Sequence, residues 1–316
     1  MHTDILIKIA VIIFNLFALV FLSALFIIRE KAKTAELKRF LKFLIIFTVG
    51  LLIAQYIFYF DTQYIEPNWI QVKKVQIEGD KFSDSLKKLK IVHISDLHIK
   101  KYGFREKALL RHLWKIWPDV ILITGDLITS RKYFPLLTYV LGKMKARLGI
   151  YIVAGDNDTS LVLPEFKNAL KEKGVMLLDN SNVKINLNEK EGLWIIGFTD
   201  EKLDKNIMSL AYEGINYAEP KIVLTHYPET IDSDYITKER ADLILSGGTH
   251  GGQTGIHFLR KLSYAGHSLK YVAGLYIIKG IPLYVNKGIG TVGDGKRDTS
   301  RFFCRPEITF IKLKSR

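Results

Sequence analysis

Hydrophobic residues are distributed in two different ways along this chain. In the first sixty residues they form two nearly continuous runs, residues 5–28 and 41–60, each interrupted by only a few polar positions. From about residue 73 onward, short apolar runs alternate with amphipathic segments. An apolar run of about 20 residues is long enough to cross a bilayer as a helix, whereas short runs are typical of buried strands. The pattern predicts a transmembrane hairpin over 1–60, a linker over 61–72 and a globular domain over 73–316.

Two other interpretations of the first sixty residues are less favoured. Two buried helices of a soluble core would fit the composition, but soluble helices are rarely apolar on every side over this length. A cleaved signal peptide would need a basic start and a small-residue cleavage site. The opening MHTD and the residues after the first run provide neither.

The segment between the two apolar runs predicts an orientation in the membrane. Residues 29–39, REKAKTAELKR, carry five Lys or Arg against two Glu. Basic loops of this kind stay in the cytoplasm, so the N-terminus and everything after Phe60 are expected on the extracytoplasmic side. Aromatic residues suited to a membrane interface follow at the exit of the second run: Tyr56, Tyr59, Tyr64 and Trp69. Lys73 and Lys74 come soon after, and the cytoplasmic face stays open as the alternative.

The chain is basic overall, with 46 Lys and Arg against 32 Asp and Glu. A positive charge favours anionic partners, which include nucleic acid, anionic lipid and phosphorylated substrates. Because the sequence contains neither an Arg-rich helix nor an RNP-like aromatic strand, no nucleic-acid partner is expected. An obligate protein partner is not evident. Cys304 is the only cysteine, so an intramolecular disulfide is impossible.

The order of apolar runs after the linker predicts an α/β domain. Continuous apolar runs such as VILIT and KIVLT predict strands that are buried on both faces. Amphipathic segments such as REKALLRHLWKI predict helices between them. Late apolar runs that follow one another without helices, ending in PEITFIKL, predict a second sheet packed on the first.

Polar side chains follow five of the predicted strands at the point where each strand ends. They are Asp96 and His98, then Asp126, then Asp156 with Asn157 and Asp158, then His226, and finally His250. In open α/β sheets, sites form at the carboxyl ends of the strands. Carboxylates and imidazoles together suit Mn, Fe, Zn or a similar divalent ion. Each residue alone is explained as a turn or cap residue, but five in order predict a metal centre.

These motifs resemble the signature of the calcineurin-like metallophosphoesterases, most of all the membrane-attached bacterial branch called YkuE-like. In chain order they read DLH at 96–98, GDL at 125–127, GDND at 155–158, THYP at 225–228 and GGTHGGQ at 247–253. The resemblance implies a four-layered α/β/β/α sandwich preceded by the transmembrane hairpin. It also implies two divalent ions with a hydroxide between them that attacks phosphorus.

The resemblance implies a role for each motif residue. One ion would be held by Asp96, His98, Asp126 and His250. The second ion would be held by Asp126 as a bridge, by Asp156 and by His226. Position 157 would be catalytic together with Asp126, because the family residue there protonates the leaving group or contacts the phosphate.

Three positions depart from the family pattern at the second ion or beside it. The usual GNHD reads GDND, so Asp156 replaces an asparagine and Asn157 replaces a histidine. The usual GHTH reads GGTH, so Gly248 replaces a histidine ligand. The carboxylate at 156 offsets part of that loss, but Asn157 cannot act as a general acid, which matters most for a poor leaving group.

The sequence therefore predicts a phosphohydrolase for a phosphoester or pyrophosphate with an acidic leaving group. A lipid-linked pyrophosphate is one such substrate, as in the nucleotide-sugar-lipid hydrolases of lipid A synthesis; those enzymes work on the cytoplasmic face, which conflicts with the extracytoplasmic side predicted above. Two other functions stay open: a catalytically reduced member that acts as a binding or scaffold protein, and a nuclease of the same fold, for which salt-sensitive DNA binding would be needed.

The remaining polar residues of interest are expected to be structural. His93 is expected to pack within its strand, and Cys304 is expected to be packed rather than reactive. Four others are expected at the surface: His257, His267, Arg301 and Arg305. Either of the two histidines could in principle replace the ligand missing at position 248.

Overall fold

A computed structural model describes residues 2–189, 191–255, 270–291 and 300–315. The chain begins with two long helices, α1 (His2–Lys31) and α2 (Ala35–Phe60). Both are longer than the predicted runs of 5–28 and 41–60, because the charged residues that flank the apolar runs are also helical. Thr34 begins α2 as its N-cap, and its hydroxyl accepts a hydrogen bond from the Leu37 N–H at 3.3 Å.

The two helices contact each other along a narrow seam and leave most of their apolar surface uncovered. Leu25, Leu41 and Ile45 are buried in the seam, whereas Phe17 and Ile57 are 67% and 65% exposed. Both helices are long and apolar enough to cross a membrane, and only 17% and 6% of their most apolar windows are buried. The helices are therefore not the core of a soluble protein, and they indicate a membrane anchor.

The chain leaves α2 as further helix rather than as an extended linker. A π-helical turn (Asp61–Ile65) and a 3₁₀ turn (Glu66–Asn68) follow α2 directly. The first strand, β1, begins at Gln71 and ends at Gly79. The division into hairpin, linker and domain stays a prediction, but the expected linker over 61–72 is largely helical.

The domain after the anchor consists of two mixed sheets with helices on the outside. The further helices are α3 (Asp84–Lys87), α4 (Phe104–Ile116), α5 (Phe134–Lys143), α6 (Pro164–Glu172) and α7 (Lys205–Ala211). The further strands are β2 (Ile91–Ile94), β3 (Val120–Thr124), β4 (Ile150–Val153), β5 (Val175–Leu177), β6 (Ser181–Asn186), β7 (Gly192–Phe198), β8 (Lys221–Thr225), β9 (Leu243–Ser246), β10 (Gly274–Ile278), β11 (Ile281–Val285) and β12 (Glu307–Ser315). The strand orders are β1-β12-β2-β3-β4-β5 and β10-β11-β9-β8-β7-β6.

Alternate residues of each buried strand face opposite layers, as the period of a strand requires. In β3, Ile121 packs towards the helices that cover the first sheet, whereas Leu122 packs between the two sheets. In β8, Leu224 faces the space between the sheets, and Val223 faces the outer layer that contains α7. The order helix, sheet, sheet, helix confirms the predicted four-layered α/β/β/α sandwich.

The last strand is where the structure differs most from the expected arrangement. Strands β10 and β11 join the second sheet as predicted, but β12 lies inside the first sheet between β1 and β2. It runs parallel to β1 and antiparallel to β2, with Thr309 opposite His93. The reason is that β12 is apolar on both faces, since Ile308 packs towards the helices and Ile311 packs between the sheets.

The layer between the sheets should carry much of the stability. Replacing the fully buried Leu122 with alanine should lower the free energy of unfolding by about 2 to 5 kcal/mol, because apolar contacts are lost and a cavity remains. Urea unfolding of the full chain in detergent, followed by tryptophan fluorescence, measures the loss. The matched change Leu210→Ala, at a side chain that is 52% exposed, should cost less than about 0.5 kcal/mol. Equal losses in the two variants would contradict this core.

Candidate metal centre

Loops at the carboxyl ends of strands from both sheets meet at one edge of the sandwich. Asp96 and His98 follow β2, Asp126 follows β3, and His250 follows β9. One donor atom from each of these four residues lies within 4.8 Å of the others, and all four residues are buried. The structure thus brings together the four residues that were predicted to hold the first ion.

The donor atoms are spaced as ligands of one ion. His98 Nε2 lies 3.0 Å from His250 Nε2 and 3.4 Å from Asp126 Oδ2. His250 Nε2 lies 3.4 Å from Asp96 Oδ1. Ligands at about 2.0 to 2.2 Å from a shared divalent ion are themselves roughly 3 to 3.5 Å apart. Two imidazole nitrogens and two carboxylate oxygens at this spacing fit a divalent transition metal.

The charges of the cluster also favour a cation. Burial raises the pKa of Asp96 to about 7, and the nearby charge of Asp126 adds to the rise. Burial alone would lower the pKa of His226, but Asp126 and Asp96 outweigh it and raise that pKa to about 9. Two carboxylates that repel each other in a buried site are stabilised by a positive charge between them.

The four clustered residues all adopt a left-handed backbone conformation. Their φ angles are 50° at Asp96, 41° at His98, 53° at Asp126 and 50° at His250. This conformation costs a non-glycine residue of the order of 1 to 3 kcal/mol and persists only when the surroundings enforce it. Backbone hydrogen bonds between the loops enforce it here, since the Asp96 N–H donates to Gly125 O and the His98 N–H to Asp126 O, both at 2.9 Å.

Glycines allow these loops to approach each other closely. A Cβ atom on Gly247 would lie 1.7 Å from Ser95 Oγ, and one on Gly155 would lie 2.6 Å from the Asp126 backbone nitrogen. Neither position can hold a side chain unless the ligand loops move apart. The glycines of the GGTH and GDND motifs therefore set the spacing of the cluster.

One oxygen of Asp126 connects the cluster to the other predicted ligands. Asp126 Oδ2 lies 3.4 Å from His98 Nε2 and 3.8 Å from His226 Nε2. His226 is oriented by its Nδ1, which lies 2.9 Å from the carbonyl oxygen of Thr124. An oxygen between the two imidazoles is placed as a bridging ligand would be, in agreement with the role that the motif implies for Asp126.

Asp156 and Asn157 are placed differently from the four clustered residues. Both are exposed, and Asp156 Oδ1 accepts a hydrogen bond from the Tyr227 hydroxyl at 2.5 Å. Asn157 donates twice to Asp126, from its backbone N–H to Oδ1 at 2.9 Å and from Nδ2 to Oδ2 at 2.8 Å. Asn157 thus orients the Asp126 carboxylate, a contact that the sequence did not indicate. Its contact with a phosphate and the metal ligation by Asp156 stay predictions.

Asp158 is a residue whose importance the sequence analysis missed. It is fully buried, and its carboxylate accepts hydrogen bonds from the N–H groups of Leu127, Ile128 and Gly155. These bonds fasten the loop after β4 to the loop that carries Asp126. The signal was present in GDND, because an aspartate just after a strand end commonly binds backbone N–H groups.

Gly248 lies where a side chain would begin next to His226. Its N–H donates to Asp96 Oδ1 at 3.1 Å, and a Cβ atom there would lie 3.2 Å from His226 Nε2. This position agrees with the loss of a ligand beside His226. The two histidines considered as replacements, His257 and His267, lie outside the described residues.

The other expectations have mixed outcomes. His93 is buried in its strand with Nε2 2.9 Å from Thr124 Oγ1, and Cys304 is buried, so both are packed as predicted. Arg305 is exposed as expected.

The surface position predicted for Arg301 is wrong: it is fully buried, and its guanidinium donates to four backbone carbonyls, those of Lys287, Gly288, Gly290 and Cys304. Carbonyl oxygens that converge on one point need a donor with several N–H groups, such as a guanidinium. The position of an arginine in the sequence does not show that such carbonyls will surround it.

Comparisons with known proteins agree with this geometry. The calcineurin-like phosphoesterase family model matches residues 89–252. The uncharacterized metallophosphoesterase YkoQ of Bacillus subtilis is 30% identical, over 77% of this chain and 90% of that protein. The transmembrane protein with metallophosphoesterase domain of Danio rerio is 30% identical, over 77% of this chain and 57% of that protein. The UDP-2,3-diacylglucosamine pyrophosphatase LpxG of Chlamydia muridarum is 23% identical, over 79% and 91%.

Removal of the bridging carboxylate should release bound metal. In the Asp126→Ala variant, the metal content of the purified full chain should fall by at least about half, since this carboxylate serves both predicted ion sites. Elemental analysis after dialysis measures it. Asp84→Ala, at a carboxylate that is 86% exposed, removes the same charge without touching the cluster and should keep the original content. Equal metal in both variants would show that the cluster is not the binding site.

Proposed function

Since the chain belongs to the calcineurin-like phosphoesterase family, we propose that it is a membrane-anchored, metal-dependent phosphohydrolase. Its substrate would be a phosphoester or pyrophosphate with an acidic leaving group. The observation that carries the proposal is the convergence of four buried donor side chains: Asp96, His98, Asp126 and His250. Divalent ions held there supply Lewis-acid activation of water and of the phosphoryl oxygens.

The residues of the chain divide the remaining work. Asp126 presents one oxygen between His98 and His226, and so joins the two predicted ion sites. Asn157 holds this carboxylate from the exposed side of the site, where an incoming phosphate would meet its amide. Asp156 and His226 complete the second site, and no imidazole is required at position 248.

The preference for an acidic leaving group follows from the groups around Asn157. Its side-chain amide has no titratable proton, and it already donates to Asp126. The hydroxyl of the neighbouring Tyr227 is engaged with Asp156. Since both of these groups are already engaged, neither supplies general-acid help, and a leaving group that departs as an anion is favoured, which suits phosphate or aryl oxide better than alkoxide.

A lipid-linked pyrophosphate satisfies both the chemistry and the membrane anchor. Its leaving group is a phosphate, and its lipid chains keep it in the bilayer that would hold α1 and α2. Similarity to LpxG, which is named as a pyrophosphatase of UDP-2,3-diacylglucosamine, supports this substrate class. The divalent ions would be Mn, Fe or Zn, which the mixed oxygen and nitrogen donors accommodate.

One observation favours a second function, that of a catalytically reduced member that binds without turnover. The second predicted ion site, beside His226, has few side chains to coordinate an ion, because Gly248 has no side chain and the Asp156 carboxylate is engaged by Tyr227. Metal analysis separates the two functions. Two ions per chain together with hydrolysis of an activated phosphoester support the enzyme, whereas one ion and no turnover over a panel of divalent metals support the reduced member.

Restoring a proton donor should broaden the substrates. The Asn157→His variant should hydrolyse alkyl phosphodiesters at least about tenfold faster than the unmodified chain, because general-acid help is worth about 10² to 10⁴ for a poor leaving group. Hydrolysis of an aryl ester should change far less. Steady-state rates of the full chain with Mn²⁺ measure both, and Asn188→His at an exposed loop is the control. Similar rates of hydrolysis of alkyl esters and pyrophosphates by the unmodified chain would contradict the proposed preference for an acidic leaving group.

From the positive-inside rule we propose that the domain lies outside the cytoplasm, with the cytoplasmic face as the alternative. Because Cys304 is buried, a cysteine introduced at an exposed position should provide the main labelling site. Ser209→Cys on the exposed side of α7 should react with a membrane-impermeant maleimide in intact cells. Lys33→Cys in the basic loop should react only after permeabilisation. The reverse pattern would put the domain in the cytoplasm.

A further inference from the structure

The sheet topology places the exit of the membrane anchor at the metal-binding edge of the domain. Strand β12 is antiparallel to β2, with Thr309 opposite His93, and β1 is parallel to β12, with Gln71 opposite Glu307. Continuing the register by two residues puts Glu307 level with Ser95. The chain that arrives from α2 therefore enters the first sheet at the level of the residue that precedes Asp96, with β12 between them.

Side-chain contacts fasten the exit segment to the loop that supports the site. The buried Glu66 accepts hydrogen bonds from the backbone N–H groups of Phe303, at 2.9 Å, and Cys304. Cys304 in turn contacts a predicted metal ligand, since its Sγ lies 3.4 Å from the carbonyl oxygen of His250. The anchor is thus docked against the metal centre rather than joined to it by a free tether.

Two further contacts attach this edge of the domain to the end of α2 and to the π-helical turn after it. The ring of Phe302 packs against that of Phe58, in the last turn of α2, with centroids 4.8 Å apart. The Arg301 N–H donates to Thr62 O at 3.0 Å. If α2 crosses the bilayer, these contacts put residues 301–303 at the level where the helix leaves the lipid.

Large aromatic side chains on this edge are uncovered. Phe303 is 71% exposed, Trp69 is 54% exposed, and Phe104 at the start of α4 is 86% exposed. The Arg305 guanidinium stacks over the Trp69 ring at 3.8 Å. Exposed aromatic rings next to a cation are typical of surfaces that rest in a membrane interface.

A cavity of about 260 Å³ opens between these side chains and the exit segment. Lys287 and Arg305 line it together with Asp61 and Glu66. With two cations and two carboxylates the lining is polar, and it suits the polar head group of a lipid more than an apolar ligand.

We propose that the surface formed by Trp69, Phe104, Phe303 and Arg305, here called the interfacial edge, rests on the bilayer that holds the anchor. The metal centre then opens beside the lipid head groups and takes an amphiphilic substrate whose phosphate lies at the membrane surface. The occupant of the interfacial edge is the lipid surface, because the contacts of Phe302 and Glu66 make this edge continuous with α2. The statement about substrate rests on the proposed function, whereas the lipid contact does not.

Lipid contact can be measured without any activity. The full chain, with Trp69, Trp114, Trp117 and Trp194 changed to phenylalanine and with Phe303→Trp added, is placed in nanodiscs that contain brominated phosphatidylcholine. We expect the fluorescence of this single tryptophan to be quenched at least about twofold, because bromine must be within contact range of a ring at the membrane interface. The control keeps only Trp117, which is 65% exposed and lies at the opposite end of α4.

Equal quenching at the two positions would overturn the proposal. A second measurement uses the unmodified chain in nanodiscs with a photoreactive phospholipid, and guards against misfolding of the variants. Peptides that contain Phe303 should be labelled, and peptides that contain Trp117 should not. Absence of the lipid adduct from peptides that contain Phe303 would overturn the proposed lipid contact.

The proposed role of the interfacial edge in access of the substrate has a separate test. Phe303→Ser and Arg305→Gln should each lower hydrolysis of a pyrophosphate carried on a bilayer-embedded lipid by about tenfold, since both weaken interfacial binding. Hydrolysis of a soluble aryl phosphoester should stay within about twofold of the original, because neither residue belongs to the metal centre. Trp117→Ser is the matched control and should change neither rate.

The outcomes separate the two proposals. Equal losses on both substrates, or no loss on either, would overturn the role of the interfacial edge in substrate access. No hydrolysis of any phosphoester by the unmodified chain would overturn the proposed function, and the lipid contact would still be decided by quenching and photolabelling.

Discussion

The arrangement of the site depends on one shared carboxylate, that of Asp126. Its Oδ2 lies between His98 and His226, and both of its oxygens are held by Asn157. Asp126 can occupy this place only because Gly155 leaves room and Asp158 ties the two loops together. Three residues of the GDND motif, Gly155, Asn157 and Asp158, therefore set the geometry of Asp126.

Much of the fold and of the candidate site was predictable, because the pattern of apolar residues and the position of polar residues at strand ends carry physical information. The continuous apolar runs of β3 and β8 predicted strands buried on both faces, and polar residues at five strand ends predicted where the loops would meet. The place of β12 was not predictable, because pairing between distant strands is set by the whole sheet rather than by local pattern. Arg301 was misjudged for a related reason, since its partners are carbonyls that only the folded chain brings together.

The contacts of the exit segment change how the membrane anchor is understood. A flexible linker would let the domain turn freely above the bilayer. Instead, Glu66 and Thr62 bind the loop of residues 301–304, and that loop contacts the carbonyl of His250. The exit segment of the anchor and the predicted metal centre are therefore connected by a short series of hydrogen bonds.

The pairing of β1 with β12 also governs when the domain can form during synthesis. Strand β1 has one neighbour in its sheet, and that neighbour is separated from it by most of the domain's sequence. During synthesis β1 has no partner strand in this sheet until the residues of β12 have been made. Such long-range pairing is slow and leaves apolar surface exposed. Closure of the first sheet is thus a late event, and the metal-binding edge is completed only with it.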